Sequence, residues 1–159
     1  MVLTLIAAGI VSTIIMDIGS GLLRAAGIIA GAPPEFVGKW LESALKGKIF
    51  VKDIRTAPGV IVPLPKFLIY HYIIGTTLTL ALYAIVVTLR ISPLPWWVPF
   101  CFGLATTFIP ALLMFPGMGF GLFGVKGPSE YLLLRTAILS HLAFGLGLAV
   151  SFRWILRMN

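Results

Sequence analysis

The sequence has little charge and almost no cysteine. Only 11% of its 159 residues are charged, and Cys101 is the single cysteine. One cysteine excludes an internal disulfide, a CxxC redox pair and a cysteine-rich metal site. The low charge, together with a hydrophobic content of 59% and a mean hydropathy of +1.06, excludes an ordinary soluble chain. This composition indicates a polytopic membrane protein.

The sequence also lacks the motifs of common catalytic sites. GxSxG, HExxH, a P-loop and paired carboxylates are absent, and no serine has a local nucleophile signature. An enzyme assignment therefore has little support from the sequence, and whether the chain is an enzyme stays uncertain. Its net charge of +7 would suggest nucleic acid in a soluble protein, but the basic residues flank apolar stretches, so no nucleic-acid partner is expected.

Four apolar stretches are long enough to cross a bilayer, which requires about 20 residues each. They predict an all-α integral membrane four-helix bundle, formed by a single domain over residues 1–159 and surrounded by the lipid bilayer. The first span is rich in small residues and should be central, with one polar or small stripe facing its partners. The expected spans cover residues 2–28, 67–89, 96–115 and 131–155, and the stripe consists of Gly9, Thr13, Asp17, Ser20 and Arg24.

A fifth, amphipathic helix is predicted at about residues 34–46, between spans one and two. Pro33 and Pro34 are a helix start signal, apolar residues then recur with a period near 3.6, and Gly47 ends the pattern. The helix could lie at the cytoplasmic interface or cap the end of the bundle, because both arrangements bury the same face. The glycine-rich stretch 114–124, which contains Gly117 and Gly119, is expected to dip into the membrane or lie flat in its interface.

The distribution of basic residues predicts the orientation in the membrane. Nine of the twelve flank or lie in the two long connections, against three on the other side. The positive-inside rule therefore places loop 32–66 in the cytoplasm and both termini outside. The nine are Arg24, Lys39, Lys46, Lys48, Lys52, Arg55, Lys66, Lys126 and Arg135; the three are Arg90, Arg153 and Arg157.

Three ionisable residues lie inside the spans, where they are costly and by default indicate a functional site: Asp17, His71 and His141. At a rise of about 1.5 Å per residue, Asp17 and His141 fall near the midplane and predict a pair. His71 falls nearer the cytoplasmic side, and with Arg24 and Arg135 it predicts a basic vestibule roofed by the glycine-rich stretch.

Several interpretations of these groups remain open. An Asp17–His141 pair could relay protons, ligate a metal or hold helices in register. Asp17, His71 and His141 are the candidate metal ligands, although so few donors leave a metal, and any other cofactor, unknown. The arginines, with backbone groups of Gly117 and Gly119, could bind an anionic headgroup or simply snorkel to the interface. Haem between the two histidines is disfavoured by a depth difference of about 9 Å.

Five motifs in the same order resemble a bacterial family of small four-helix inner-membrane proteins of unknown function. Lys39 and Phe115 depart from the family pattern, which has arginine and glutamine there. The resemblance implies the fold and the bacterial cytoplasmic membrane, and it supplies no reaction. The motifs are Met16-Asp17, Gly38-Lys39-Trp40, His71-Tyr72-x-Ile74-Gly75, Met114-x-Pro116-Gly117-Met118-Gly119-x-Gly121 and His141-x-x-Phe144-Gly145-x-Gly147-Leu148.

Three functional hypotheses follow. The leading one is a module that binds or conducts a proton, a metal or a small anionic ligand at the Asp/His site. The alternative is an accessory subunit of a larger membrane complex, whose polar residues act as interhelical contacts. The third is an intramembrane enzyme acting on lipid. Because four spans are too few for a wide pore, a transport role would require a homo-oligomer or a membrane-protein partner.

Overall fold

The computed structural model describes residues 1–30, 33–59, 62–128 and 131–156. It confirms the all-α fold class: four long apolar helices pack as a bundle, and a shorter helix lies between the first two. The four stretches that are long and apolar enough to cross a membrane, within the described residues, are Val2–Ala25, Leu64–Thr88, Trp97–Gly117 and Leu132–Trp154.

The individual helices are numbered in chain order. The third span is interrupted, because regular α-helix ends at Ala105 and a π-helical turn begins at Pro110, which has no N–H to donate. The helices are α1 (Val2–Ala25), α2 (Pro34–Leu45), α3 (Leu64–Thr88), α4 (Trp97–Ala105), α5 (Phe115–Gly117) and α6 (Leu132–Val150), with π-helical turns at Pro110–Met114 and Ser151–Ile155 and a 3₁₀ turn at Leu122–Gly124.

Helix α3 begins at Leu64, three residues before the expected start of the second span. Pro65 lies in its first turn, where a missing N–H costs no intrahelical hydrogen bond. The earlier start changes the expected depth of His71. This residue lies seven residues after the start of α3, about two turns in, whereas the expected start placed it about one turn in.

The chain divides into two compact units. The first unit contains the described residues of Met1–Leu22, His71–Thr106 and Leu139–Asn159, and the second contains those of Leu23–Tyr70 and Thr107–Ile138.

The first unit packs through small residues. A Cβ on Gly9 would lie 2.7 Å from Cα of Thr76, and one on Gly147 would lie 2.8 Å from Cα of Ser12. Such close approach is typical of membrane helices, which associate through packing because lipid removes the hydrophobic driving force. Helix α1 therefore contacts both α3 and α6, as its small residues predicted. The buried apolar core of this unit is Leu82, Val86, Leu94, Phe144, Leu148 and Phe152.

The second unit is built around the apolar face of α2. Trp40 is 7% exposed and its indole Nε1 donates to the carbonyl of Ile49 at 2.8 Å. The apolar face of α2 is therefore packed against protein, which favours the capping arrangement over a helix lying on the interface. The buried members of this core are Trp40, Ile54, Phe115, Met118, Phe120, Leu133 and Ala137.

The glycine-rich stretch packs against the connection that follows α2. Val51 N–H donates to the carbonyl of Gly117 at 2.8 Å, and Ile54 N–H donates to that of Met118 at 2.9 Å. A Cβ on Gly117 would collide with the Trp40 indole. Glycine is required there because the two chain segments approach through their backbones.

Candidate intramembrane polar site

Asp17, His71 and Tyr72 form one hydrogen-bonded cluster between α1 and α3. Nε2 of His71 lies 3.0 Å from Oδ1 of Asp17, and the Tyr72 hydroxyl donates to Oδ2 at 3.0 Å. The two helices run antiparallel, because Gly9 contacts Thr76 while Asp17 contacts the earlier residues of α3. Each carboxylate oxygen therefore has its own donor from the neighbouring helix.

The predicted pair of Asp17 with His141 is wrong. The hydrogen bonds of the Asp17 carboxylate go to His71 and Tyr72, whereas His141 bonds to Thr106. The error arose because the relative depths of Asp17 and the two histidines were misjudged. Asp17 lies eight residues before the end of α1, and His71 lies seven after the start of α3, so the two are level.

His141 on α6 is hydrogen-bonded to α4's C-terminal end rather than to Asp17. The Thr106 hydroxyl lies within hydrogen-bond distance of the carbonyl of Gly103 and 2.7 Å from Nδ1 of His141. The ring is therefore held by a neutral polar partner and not by a carboxylate.

Serine pairs join α1 to α6 and to the π-helical turn that follows it, on either side of the cluster. The Ser20 hydroxyl donates to that of Ser140 at 2.8 Å, and the hydroxyls of Ser12 and Ser151 are 3.0 Å apart. Ser20 lies one turn beyond Asp17, and Ser140 precedes His141 in α6. The stripe on α1 thus contacts two helices through Gly9, Thr13, Asp17 and Ser20, as predicted.

The Asp17 cluster is only partly enclosed within the first unit. The side chain of Asp17 is 39% exposed and that of His71 is 23% exposed. The fully buried Ser12 and Thr13, one turn earlier on α1, bond to backbone carbonyls of their own helix. The ionisable pair is therefore less buried than the hydroxyl residues beside it on α1.

The remaining predicted site residues lie in the second unit. Arg24 and Arg135 are exposed, and their grouping with His71 stays a prediction. The N–H of Gly119 donates to the carbonyl of Pro116 at 3.0 Å, and a Cβ there would meet the backbone of Lys52. Packing against the preceding connection accounts for the glycine at this position and at Gly117.

The donor set is small. Within the described residues, no group of three histidine, cysteine, aspartate or glutamate side chains converges to hold a metal ion. Asp17 and His71 supply two donors, and Tyr72 adds a phenol that already donates to the carboxylate. The chemistry best matched to such a set is transfer of a proton between a carboxylate and an imidazole.

Two ion-pair clusters lie in the second unit. Arg55 bonds to both carboxylate oxygens of Asp53, which lowers the pKa of Asp53 and raises the pKa of the guanidinium. Glu42 on α2 accepts from Lys66 and from the Tyr70 hydroxyl on α3. These hydrogen bonds lower the pKa of Glu42, that from Lys66 having the larger effect.

Two residues of the polar contacts were missed by sequence reasoning. Neither Tyr72 nor Thr106 was among the predicted site residues. Small residues mark where the two antiparallel helices meet, with Gly9 and Thr13 of α1 against Thr76 and Gly75 of α3. Counting along both helices from that contact brings residue 17 opposite residues 71 and 72.

Four apolar helices of spanning length, packed through close glycine and serine contacts, define a polytopic α-helical membrane protein. Within that class the chain belongs to the DUF2938 family, described as proteins of unknown function, whose profile matches residues 6–155. Comparison with curated proteins and with solved structures finds no match.

Proposed function

We propose that the chain forms a single transmembrane domain that binds and transfers protons at the Asp17–His71–Tyr72 cluster. The observation that carries this proposal is the hydrogen bonding of a half-exposed carboxylate, within a candidate membrane span, to an imidazole and a phenol. Such a group has little value as packing material, because it is expensive in hydrocarbon.

The chemistry of proton transfer follows from the geometry. The Asp17 carboxylate accepts a hydrogen bond from Nε2 of His71, so a proton on the imidazole can move to the carboxylate without a change in helix packing. Tyr72 holds the other oxygen and fixes the plane of the carboxylate. His141, hydrogen-bonded to Thr106 through Nδ1, is a second imidazole in the same unit.

Orientation and assembly belong to the same proposal. The excess of basic residues in the long connections supports a cytoplasmic loop 32–66, with both termini outside, in a bacterial cytoplasmic membrane. A four-span protomer is too small for a wide aqueous pore, so transport across the membrane would use a homo-oligomer or a membrane-protein partner. The small-residue faces of the helices permit such association.

Proton flux in vesicles tests the proposal. The purified protein is reconstituted into vesicles that enclose a pH-sensitive dye, and a membrane potential is imposed with potassium and valinomycin. We expect wild-type vesicles to acidify faster than empty ones, and Asp17→Asn and His71→Gln to remove most of the difference. Asp53→Asn is the matched control, because it removes a carboxylate outside the candidate spans and should leave the flux unchanged.

A structural effect of the variants must be separated from a chemical one. Asp17→Asn retains an amide that can still accept from Tyr72, so helix content and elution volume in detergent should match the wild type. If the folded wild-type protein shows no flux above empty vesicles, or if folded Asp17→Asn retains full flux, the proposal fails.

A second candidate function is that of an accessory subunit in a larger membrane complex. It is favoured by interhelical hydroxyl contacts, Ser12 with Ser151 and Ser20 with Ser140, which indicate polar groups used to hold helices together. Affinity capture in mild detergent tests it. A stoichiometric membrane partner, together with loss of helix packing in Asp17→Asn, would favour this function over proton transfer.

A further inference from the structure

A basic and apolar loop runs from Leu45, the last residue of α2, to Lys52 in the second unit. Leu45 is 73% exposed, Phe50 is 68% exposed and Ile49 is 41% exposed, although all three lie outside the four candidate spans. Lys46 and Lys48 alternate with them and are also exposed. Apolar side chains facing outward beside lysines are typical of protein surfaces that lie in the headgroup region of a membrane.

The loop is held in place by its backbone. The carbonyl of Ile49 accepts from the Trp40 indole, and the N–H of Val51 donates to Gly117. These bonds fix the main chain while the side chains between them project outward. A loop ordered in this way loses little conformational entropy when a ligand covers it.

The charges of the loop have no counter-charge within it. The salt bridges of the described residues are Asp53 with Arg55, Glu42 with Lys66 and Asp17 with His71, and none includes Lys46, Lys48 or Lys52. The whole sequence has only five acidic residues. Glu42, one turn before Lys46 on α2, interacts with the charge of that lysine but is itself bonded to Lys66 and Tyr70. The loop itself therefore presents a net positive charge.

We infer that the loop from Leu45 to Lys52 is a contact surface for anionic lipid headgroups. The long connections of a four-span protein, before span two and after span three, emerge on the same side of the membrane, so this loop meets a leaflet surface. Leu45 and Phe50 enter the interface, and the lysines bind headgroup phosphates, each contributing up to about fivefold in affinity. This surface is independent of the Asp17 cluster.

Lipid selectivity of the full-length protein tests the inference. The protein is reconstituted into phosphatidylcholine vesicles, and electron paramagnetic resonance measures the association of spin-labelled phosphatidylglycerol relative to spin-labelled phosphatidylcholine. We expect a several-fold preference for phosphatidylglycerol that declines with added salt, because screening weakens contacts between charges at an exposed surface. The double variant Lys46→Gln with Lys48→Gln should reduce the preference toward one.

A charge-matched double variant makes the test specific. Arg90→Gln with Arg153→Gln removes two positive charges outside this loop and should leave the preference unchanged. Equal association of both lipids with the wild type, or equal loss in both double variants, would overturn the inference. So would suppression of the preference by inorganic phosphate at constant ionic strength, since that would indicate a site for a free anion.

Discussion

The Asp17–His71 contact of the first unit and the Asp53–Arg55 contact of the second unit differ in sequence range. His71 reaches a carboxylate 54 residues away in sequence, on another candidate membrane helix. Arg55 bonds to a carboxylate only two residues away in the same exposed connection. The first contact depends on the packing of α1 against α3, whereas the second needs only the local fold of the chain. Residue type alone therefore does not identify the acid that is a candidate for function.

The largest expected effect is a loss of stability when a close glycine contact in the first unit is disrupted. A Cβ on Gly103 would collide with the backbone of Gly145, so Gly103→Val forces α4 away from α6. We expect a loss of stability at or above the upper end of the roughly 1–3 kcal/mol typical of overpacking. Thermal unfolding in detergent, followed by circular dichroism, measures it.

Gly21→Ala is the control for that variant. Gly21 also lies in the first unit, on α1, but a Cβ there has no neighbour within 4 Å. Its melting temperature should equal or slightly exceed the wild-type value, because alanine favours helix over glycine. Equal destabilisation by both variants would show that close approach of the backbones is not what holds the first unit together.

In the second unit, the packing of the chain requires glycine at position 119 for two reasons. Gly119 has φ +85°, and a Cβ there would meet the backbone of Lys52. Gly27 has φ +71° with no neighbour within 4 Å. Gly27→Ala should cost about 1–2 kcal/mol from backbone strain alone, and Gly119→Ala should cost more, because a collision is added. Chemical denaturation of both variants measures the difference, and identical losses would contradict the role given to this packing.

The smallest expected effect concerns the Glu42 ion pair. The pKa of Glu42 is lowered from 4.5 by Lys66 and Tyr70, so the folded state favours the ionised carboxyl. Its stabilising contribution is complete above pH 4.5 and declines as the pH falls through the lowered value of the folded protein. Wild type and Glu42→Gln should therefore differ slightly in melting temperature at neutral pH and converge in acid. A difference that grows on acidification would contradict this assignment.

The fold was predictable because hydropathy and helix signals are local. The four apolar stretches and the start of α2 at Pro34 could be recognised from composition and spacing. The start of α3 was missed by three residues, because Pro65 and Lys66 look like a boundary, although a proline is tolerated in a first turn.

The polar site was predictable in its members but not in its pairing. The cost of burying charge identified Asp17 and His71 without any knowledge of contacts. Which histidine meets the carboxylate depends on the relative depth of helices, and a shift of one turn changes the partner. Tyr72 was missed for a related reason, since a tyrosine near a helix end resembles an interfacial residue until its partner is known.

The burial of Trp40 gives the second unit an optical signal of its own. The other tryptophans, Trp96, Trp97 and Trp154, are 59%, 54% and 71% exposed, whereas Trp40 is 7% exposed with its indole bonded to Ile49. With those three replaced by phenylalanine, the emission of one fluorophore follows the loosening of α2 and the glycine-rich stretch. Compared with helix content in the same melt, this emission distinguishes two units that unfold together from two that unfold in sequence.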